Sequence, residues 1–343
     1  MRTTARSHPP SHRPARPLRR WLTLALASLT IGMTGTASAQ DNEIDAPEMI
    51  DLSVMLDWYA NPVHAPLIIA KQRGLFEKRG LDVDIQSPAD PSVPPKLVAA
   101  GRVDLALSYQ PQLHLQVDQG LPVVRIGTLV ATPLNALVVR ADSGIEAVAD
   151  LAGHKIGYSV GGVEEVLLAA TLEHSGLSLD DVELVNVNFS LTPALISQRV
   201  DAVTGAFRNF ELAQMRHEGV PGKAFYIEEE GVPTYDELIF VANRDTLDDH
   251  RDAYRRFMAA IGEATAWIIN HPDDAWQRFI DYDESLDTPL NAEAWEATLP
   301  RFALRPAALD TKRYRDFEAF LLERGEIKAQ SPISRLAVDL DAQ

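Results

Sequence analysis

The hydrophobic pattern along this chain switches repeatedly between a period of two and a helical period. Met49 to Asp57 and Leu81 to Gln86 alternate as strands, while His64 to Arg73 has helical spacing and stops at Gly74. Trp58 to Pro62 and the proline-rich stretch Pro88 to Pro95 read as loops. A helix before Gly101 feeds a strand ending at Ser108, and Val123 to Val130 and Leu137 to Val139 are further strands. Strand, helix, strand, helix, strand is the order of a parallel sheet covered by helices. A second such unit follows Arg140. It runs through helix Ile145 to Leu151, strand His154 to Tyr158, glycine turn Ser159 to Gly162 and helix Val163 to His174. Strand Val182 to Val187, helix Thr192 to Gln198, strand Asp201 to Ala206 and helix Glu211 to Glu218 continue it, and Lys223 to Ile227 closes it. After a last strand, Leu238 to Ala242, helical spacing dominates in Tyr254 to Ile269, Pro272 to Asp281, Ala292 to Leu299 and Thr311 to Arg324.

Two stretches repeat one another. Leu97 to Ala106 and Ala194 to Val203, 97 residues apart, each read as a helix end, a turn carrying Arg-Val-Asp and a buried strand. Chance similarity of two βαβ units is the plainer alternative; two related α/β lobes facing across a cleft is the reading preferred here. The expected architecture is a two-lobed α/β fold of two parallel-sheet lobes. Lobe 1 spans 48–140 plus 236–343, with the helical tail returning onto it, and lobe 2 spans 141–235. The crossovers near Arg140 and Tyr235 form a two-segment hinge, and a cleft between lobes is a common place for a small ligand.

Composition changes the picture at the amino terminus. Arg2, Arg6, Arg13, Arg16, Arg19 and Arg20 precede the apolar run Trp21 to Gly32, and Ala37-Ser38-Ala39 supplies a small-residue cleavage pattern. Residues 1–39 are therefore expected to be a signal peptide cut before Gln40, by the general or the twin-arginine route, giving a periplasmic protein. Removing six arginines and no acid takes the formal charge from −17 to −23. Such a chain repels nucleic acid and anionic membranes. There is no cysteine, so disulfides, thiolate metal sites and a lipid anchor on a cysteine after the cut are excluded.

Candidate chemistry gathers at strand ends. Asp57, Trp58, Tyr59, Asn61 and His64 share the loop after the first strand, where open α/β sheets bind ligands; helix capping and cover are the plain alternative. Tyr109 ends the strand after the first Arg-Val-Asp, with a core tyrosine as its alternative. Gly161 and Gly162 offer backbone donors or merely a tight turn, since Glu164 and Glu165 in the next helical turn repel a phosphate. Asn209 and Glu211 face the cleft from the other lobe as acceptors for an amine, or Glu211 is an ordinary helix-start acid. Tyr235, Asp236 and Glu237 lie at the second crossover, able to close over a ligand or to form an exposed acidic turn. No metal-binding histidine pattern and no nucleophile elbow occurs. Neither cofactor nor catalysis is expected.

The strings Leu56 to His64, Leu75 to Val83, Ser108 to Pro111, Gly205 to Glu211 and Gly231 to Leu238 resemble periplasmic binding proteins related to the thiamine-pyrimidine synthase family, the formylaminopyrimidine-binding proteins of thiamine salvage above all. The resemblance implies a type II periplasmic-binding-protein-like fold. It further implies a monomer that delivers an aminopyrimidine to the permease subunits of an ABC importer with a cytoplasmic ATPase. Trp58 and Tyr59 would then frame the ring, Asn61 and His64 would bond its edge, Glu211 with Asn209 would take the amine, and Tyr235-Asp236 the arm. Arg208 stands where the family usually carries an aromatic residue. Riboflavin, a sulfonate or nitrate on the same scaffold is one alternative, and a pyrimidine-forming or pyrimidine-modifying enzyme is another.

Overall fold

The computed structural model describes residues 49–341; the expected leader, residues 1–39, and the cut before Gln40 lie outside them. The strands are β1 (Ile50–Met55), β2 (Leu81–Gln86), β3 (Leu105–Ser108), β4 (Val123–Val130), β5 (Asn135–Arg140), β6 (Lys155–Tyr158), β7 (Glu183–Asn186), β8 (Ala202–Phe207), β9 (Gly222–Tyr226) and β10 (Leu238–Asn243). They form two five-stranded sheets with the same plan, β2-β1-β3-β10-β4 and β7-β6-β8-β5-β9. Each sheet is mixed, which corrects the expectation of parallel sheets. β10 is antiparallel to β3 and β4, and β5 to β8 and β9. The cause is the chain path: β5 and β10 are the strands that have just crossed from the opposite lobe and enter their new sheet in reverse. The first crossing is therefore residues 131–134, ahead of β5, rather than the expected 140; the second lies between β9 and β10 and contains residues 235 and 236.

The repeated Arg-Val-Asp occupies equivalent places. Val103 and Val200 are buried beneath the helix ends, and Asp104 accepts from the Ser53 amide at 2.8 Å, just as Asp201 accepts from the Lys155 amide at 2.9 Å. In both lobes this aspartate ties the turn to the neighbouring strand, β1 or β6.

The helices are α1 (Ala65–Gln72), α2 (Pro94–Ala99), α3 (Gln110–Asp118), α4 (Val163–His174), α5 (Leu191–Ile196), α6 (Glu211–His217), α7 (Leu247–Asn270), α8 (Pro272–Ile280), α9 (Pro289–Thr298), α10 (Thr311–Glu323) and α11 (Ile333–Leu336). The expected helix Ile145 to Leu151 is only a short 3-10 turn, Val148–Leu151. α1 starts where Asn61 Oδ1 accepts from the Val63 amide and Pro62 opens a 3-10 turn, and its chain leaves at Gly74 with φ 64°. α3 was not expected. Leu113, Leu115 and Val117 alternate with Gln112, His114 and Gln116 as in a strand, yet every residue from Gln110 to Val117 is buried. A helix buried all round carries no amphipathic stripe.

The tail does more than return to lobe 1. α7 packs on α1, with Phe257 stacked on Phe76 at 5.2 Å between ring centres. α9, in contrast, touches α6, and Phe317 and Leu321 of α10 share a cluster with Val163 and Leu167 of α4 and with Tyr235.

Candidate functional site

Where the two sheets face each other at the crossings, a cleft encloses about 610 Å³ of space, counted out to its mouth. Its carboxylates are Asp57, Glu164, Glu211 and Glu237, and its rings include Trp58, Tyr109, Phe207 and Phe210; among the described residues no lysine, arginine or histidine lines it.

Each acid is held by its local structure. Asp57 follows β1. His64 Nδ1 accepts from the Asn61 amide at 3.1 Å, so its proton sits on Nε2, which donates to Asp57 Oδ1 at 3.0 Å. Tyr109 donates its hydroxyl to Asp57 Oδ2 at 3.0 Å, and burial together with the Asp57 charge pushes that phenol well up. Glu164, in the first turn of α4, accepts from the Ser159 amide at 2.7 Å. It comes so close to β8 that a Cβ on Gly205 would lie 2.2 Å from its Oε1, and Gly205 has φ +83° where the β5–β8 register shifts. Glu211 opens α6 and accepts from the Phe207 amide at 2.7 Å. Glu237 accepts on Oε2 from the Leu134 and Asn135 amides at 2.6 and 2.8 Å and from the Tyr235 hydroxyl at 3.1 Å.

These bonds fall on Oε2 of the three glutamates, and no hydrogen bond to their Oε1 atoms forms among the described residues. Loss of solvent dominates their chemistry. Burial raises Glu164 to about 8 and Glu211 and Glu237 to about 7, against the pull of the amides. Asn135, itself buried, uses Oδ1 to accept from the Gly205 amide at 3.1 Å and also lines the cleft. The arrangement suits a flat ligand rich in N–H donors and disfavours an anion.

Of the residues singled out in the sequence, Asp57, Trp58, Asn61, Tyr109, Glu211 and Tyr235 line this one cleft. The other six are placed elsewhere. Tyr59 is 40% exposed beside Phe210, with ring centres 6.3 Å apart. His64 is sealed behind Asp57. Gly161 and Gly162 do not line the cleft, and the Gly162 amide donates to Glu165 to start α4. Asn209 Nδ2 is occupied by Thr298 Oγ1 of α9 at 2.7 Å, a bridge between lobes. Asp236 turns away to Arg313 and to Thr128 Oγ1. In an extended segment alternate side chains point apart, so Tyr235 and Glu237 share the cleft face and Asp236 takes the opposite one.

The sequence reading chose none of Glu164, Asn135, Phe207 and Phe210 as site residues, although Phe207 and Phe210 lay inside a string already quoted; Glu237 was named with Tyr235 and Asp236 at the second crossover but given no separate role. Arg208 does not enter the cleft. It grips Glu228 through two contacts of 2.7 Å, stacks on Tyr226 at 4.0 Å and donates to the Leu134 and Asn135 carbonyls.

Comparison with known proteins adds five findings. Residues 61–275 match the family model described as NMT1/THI5 like. A protein of Haemophilus influenzae named for thiamine biosynthesis is 50% identical over 84% of this chain and 92% of its own. The formylaminopyrimidine-binding protein of Halalkalibacterium halodurans is 36% identical over 80% and 83%. More distant is a 4-amino-5-hydroxymethyl-2-methylpyrimidine phosphate synthase of Aspergillus parasiticus, 27% identical over 74% and 76%. Among solved structures, the alkanesulfonate-binding protein of Xanthomonas axonopodis superposes with a TM-score of 0.70 over 85% of this chain and 99% of that one, at 16% identity. The fold is thus that of the periplasmic binding proteins, two lobes of mixed sheet joined by two crossing segments.

Proposed function

The chain belongs to the NMT1/THI5-like family, and from that membership we propose that it is a periplasmic solute-binding protein that captures an aminopyrimidine precursor of thiamine and passes it to the permease of an ABC importer. The observation that carries the reading is a cleft walled by rings and floored by carboxylates with no cation among its lining residues. An aminopyrimidine is planar, and its amine and ring nitrogen form an edge that a carboxyl group pairs with through two hydrogen bonds. Trp58 and Phe210 offer faces for the ring, Glu211 the partner for its amine edge, and Tyr235, Glu237 and Glu164 the surroundings of its arm. A charge-assisted bond of that kind contributes about 1.5–3 kcal/mol.

A binding role is preferred over the synthase activity named for the fungal relatives because no histidine among the described residues lines the cleft and His64, beside it, is committed to Asp57. A sulfonate or nitrate ligand fits poorly, since Arg208, the cation nearest in sequence to Glu211, is paired with Glu228.

Calorimetric titration with 5-hydroxymethyl-2-methylpyrimidin-4-amine and with the N-formyl-aminomethyl analogue tests the reading. Saturable binding is expected, weakened at least about tenfold by Trp58→Ala or Glu211→Ala with the fold intact, as for loss of one principal contact. Mass analysis after incubation should return the compound unaltered. Absence of binding to both, with riboflavin retained instead, would reject the aminopyrimidine; an altered product would favour the enzyme.

A further inference from the structure

The two crossing segments are joined to each other at the cleft by one side chain. Glu237 precedes β10 in the second crossing, yet its Oε2 accepts from the amides of Leu134 and Asn135, the last residue of the first crossing and the first of β5. Tyr235 adds its hydroxyl to the same oxygen. On the opposite face Arg313 of α10 donates to the Ala131 carbonyl and to Asp236, so it too touches both crossings, from behind. The front staple differs from the back one in a single respect: Glu237 lines the ligand cleft, and its Oε1 accepts no hydrogen bond among the described residues.

We propose that Glu237 is the positioning residue through which an occupied cleft fixes the hinge, its Oε2 stapling the two crossings and its Oε1 taking a donor from the ligand. The proposal rests on the aminopyrimidine reading only for the identity of that donor. The mechanism is electrostatic. In the empty cleft burial pushes the carboxyl up to about 7, so near neutrality a large share of it is protonated and its Oε2 is a weak acceptor. The groups facing it are Tyr235, the Arg208 guanidinium, which favours the charged form, and Glu164 and Tyr109, both of which Glu237 in turn helps to raise. A donor on the ligand's arm, the O–H of the hydroxymethyl compound or the N–H of the formylaminomethyl one, favours the carboxylate when it bonds Oε1, and a carboxylate holds amide donors more strongly than a carboxylic acid does. The ligand thereby interacts differently with the stapled and unstapled hinge, which a ligand must do to shift a conformational equilibrium.

Two substitutions separate the roles. Glu237→Gln keeps a carbonyl oxygen for the Leu134 and Asn135 amides but puts an uncharged group toward the ligand, whereas Glu237→Ala removes both. Pairs of spin labels, one on each lobe, report the interlobe distance distribution by pulsed electron resonance, and calorimetry reports affinity for 5-hydroxymethyl-2-methylpyrimidin-4-amine. In the ligand-free protein Glu237→Ala is expected to broaden the distribution, with Glu237→Gln near wild type. With the pyrimidine added, wild type should narrow. Glu237→Gln should bind about 10- to 100-fold more weakly, the size of one charge-assisted hydrogen bond, and narrow less even at saturation. An unchanged distribution in ligand-free Glu237→Ala would overturn the staple whatever the ligand. Full narrowing of saturated Glu237→Gln would overturn the coupling alone. If wild type fails to bind the pyrimidine while Glu237→Ala still broadens the distribution, the functional reading falls and the staple stands.

Discussion

At the scale of single residues the cleft depends on positions whose chemistry is set by what surrounds them. Gly205 is one. Its φ of +83° and the 2.2 Å approach of Glu164 Oε1 to a Cβ at that point leave no room for a side chain. Gly205→Ala is expected to cost about 1–3 kcal/mol in chemical denaturation, from a left-handed non-glycine conformation, and to weaken aminopyrimidine binding by moving Glu164. Normal stability and affinity would show that the contact relaxes freely. The buried glutamates also give a sign to the pH dependence. Glu164, Glu211 and Glu237 titrate higher in the folded chain than the ordinary 4.5, so the folded state binds more protons over that interval. Their contribution to stability is complete below about pH 4.5 and lost as pH rises through 7 and 8. His114, buried and held below 6.5, acts in the opposite sense but only up to about that pH. The ligand-free protein should therefore lose stability steadily between pH 6.5 and 8 in denaturant titrations; a rise over that window would contradict the assignment. Half of the expected site residues share the cleft, because strand-end position is readable from alternation. Side-chain direction within an extended segment was less readable: Asp236 and Glu237 are adjacent acids, and only the frame of the alternation decides which one faces the ligand. Glu164 was passed over because an acid in a first helical turn is ordinary in sequence, and its burial depends on a bulge in another strand.

At the scale of elements, sequence rhythm located the strands and most helices but not their partners. An amphipathic period states which face a helix buries and is silent on what covers it. α10 was expected on lobe 1, and Tyr314 packs there with Met55, Val98 and Leu113, but Phe317 and Leu321 also pack with Val163 and Leu167 of α4, with Leu115 of α3 and with Tyr235 in the crossing. This small cluster draws on both lobes and the hinge. Removing a ring from it acts on the joint as well as on the core. Phe317→Ala is expected to cost about 3–5 kcal/mol in denaturant unfolding, the usual range for a buried phenylalanine. It should also weaken ligand binding, because Tyr235 packs edge-on against that ring at 5.5 Å and itself donates to Glu237. A loss of stability with undiminished affinity would show that α10 supports the core without supporting the cleft. The exposed links between lobes, such as the Arg216 and His217 contacts to Glu293, are of the kind that contribute ~1 kcal/mol or less and are screened by salt.

At the scale of the whole molecule, the repeated Arg-Val-Asp reported something real, two lobes built on one plan, while the exchange of β5 and β10 between them left no mark in local pattern because antiparallel and parallel buried strands share one composition. Two sources of charge selectivity then meet. The chain as a whole is acidic, with a formal charge of −17, and four of its carboxyl groups line the cleft. They make different predictions about a phosphorylated aminopyrimidine, whose ester carries about −1.5 to −2 near neutral pH. Surface charge acts through solvent, where screening at physiological salt sets in over roughly 8 Å. Raising the salt should then restore binding. Above about pH 8, where Glu164, Glu211 and Glu237 are ionised, carboxylates inside the cleft act at contact range, and like unit charges 4 Å apart repel by about 4 kcal/mol at an effective dielectric constant of 20. The phosphate ester is therefore expected to bind at least ~100-fold more weakly than the alcohol in calorimetry above that pH, with the gap unchanged between low and high salt. Glu164→Gln should narrow that gap without closing it, since Glu237 remains. A gap that vanishes in high salt would move the selectivity from the cleft to the surface, and equal binding of ester and alcohol would mean that the acids do not face the ligand's arm.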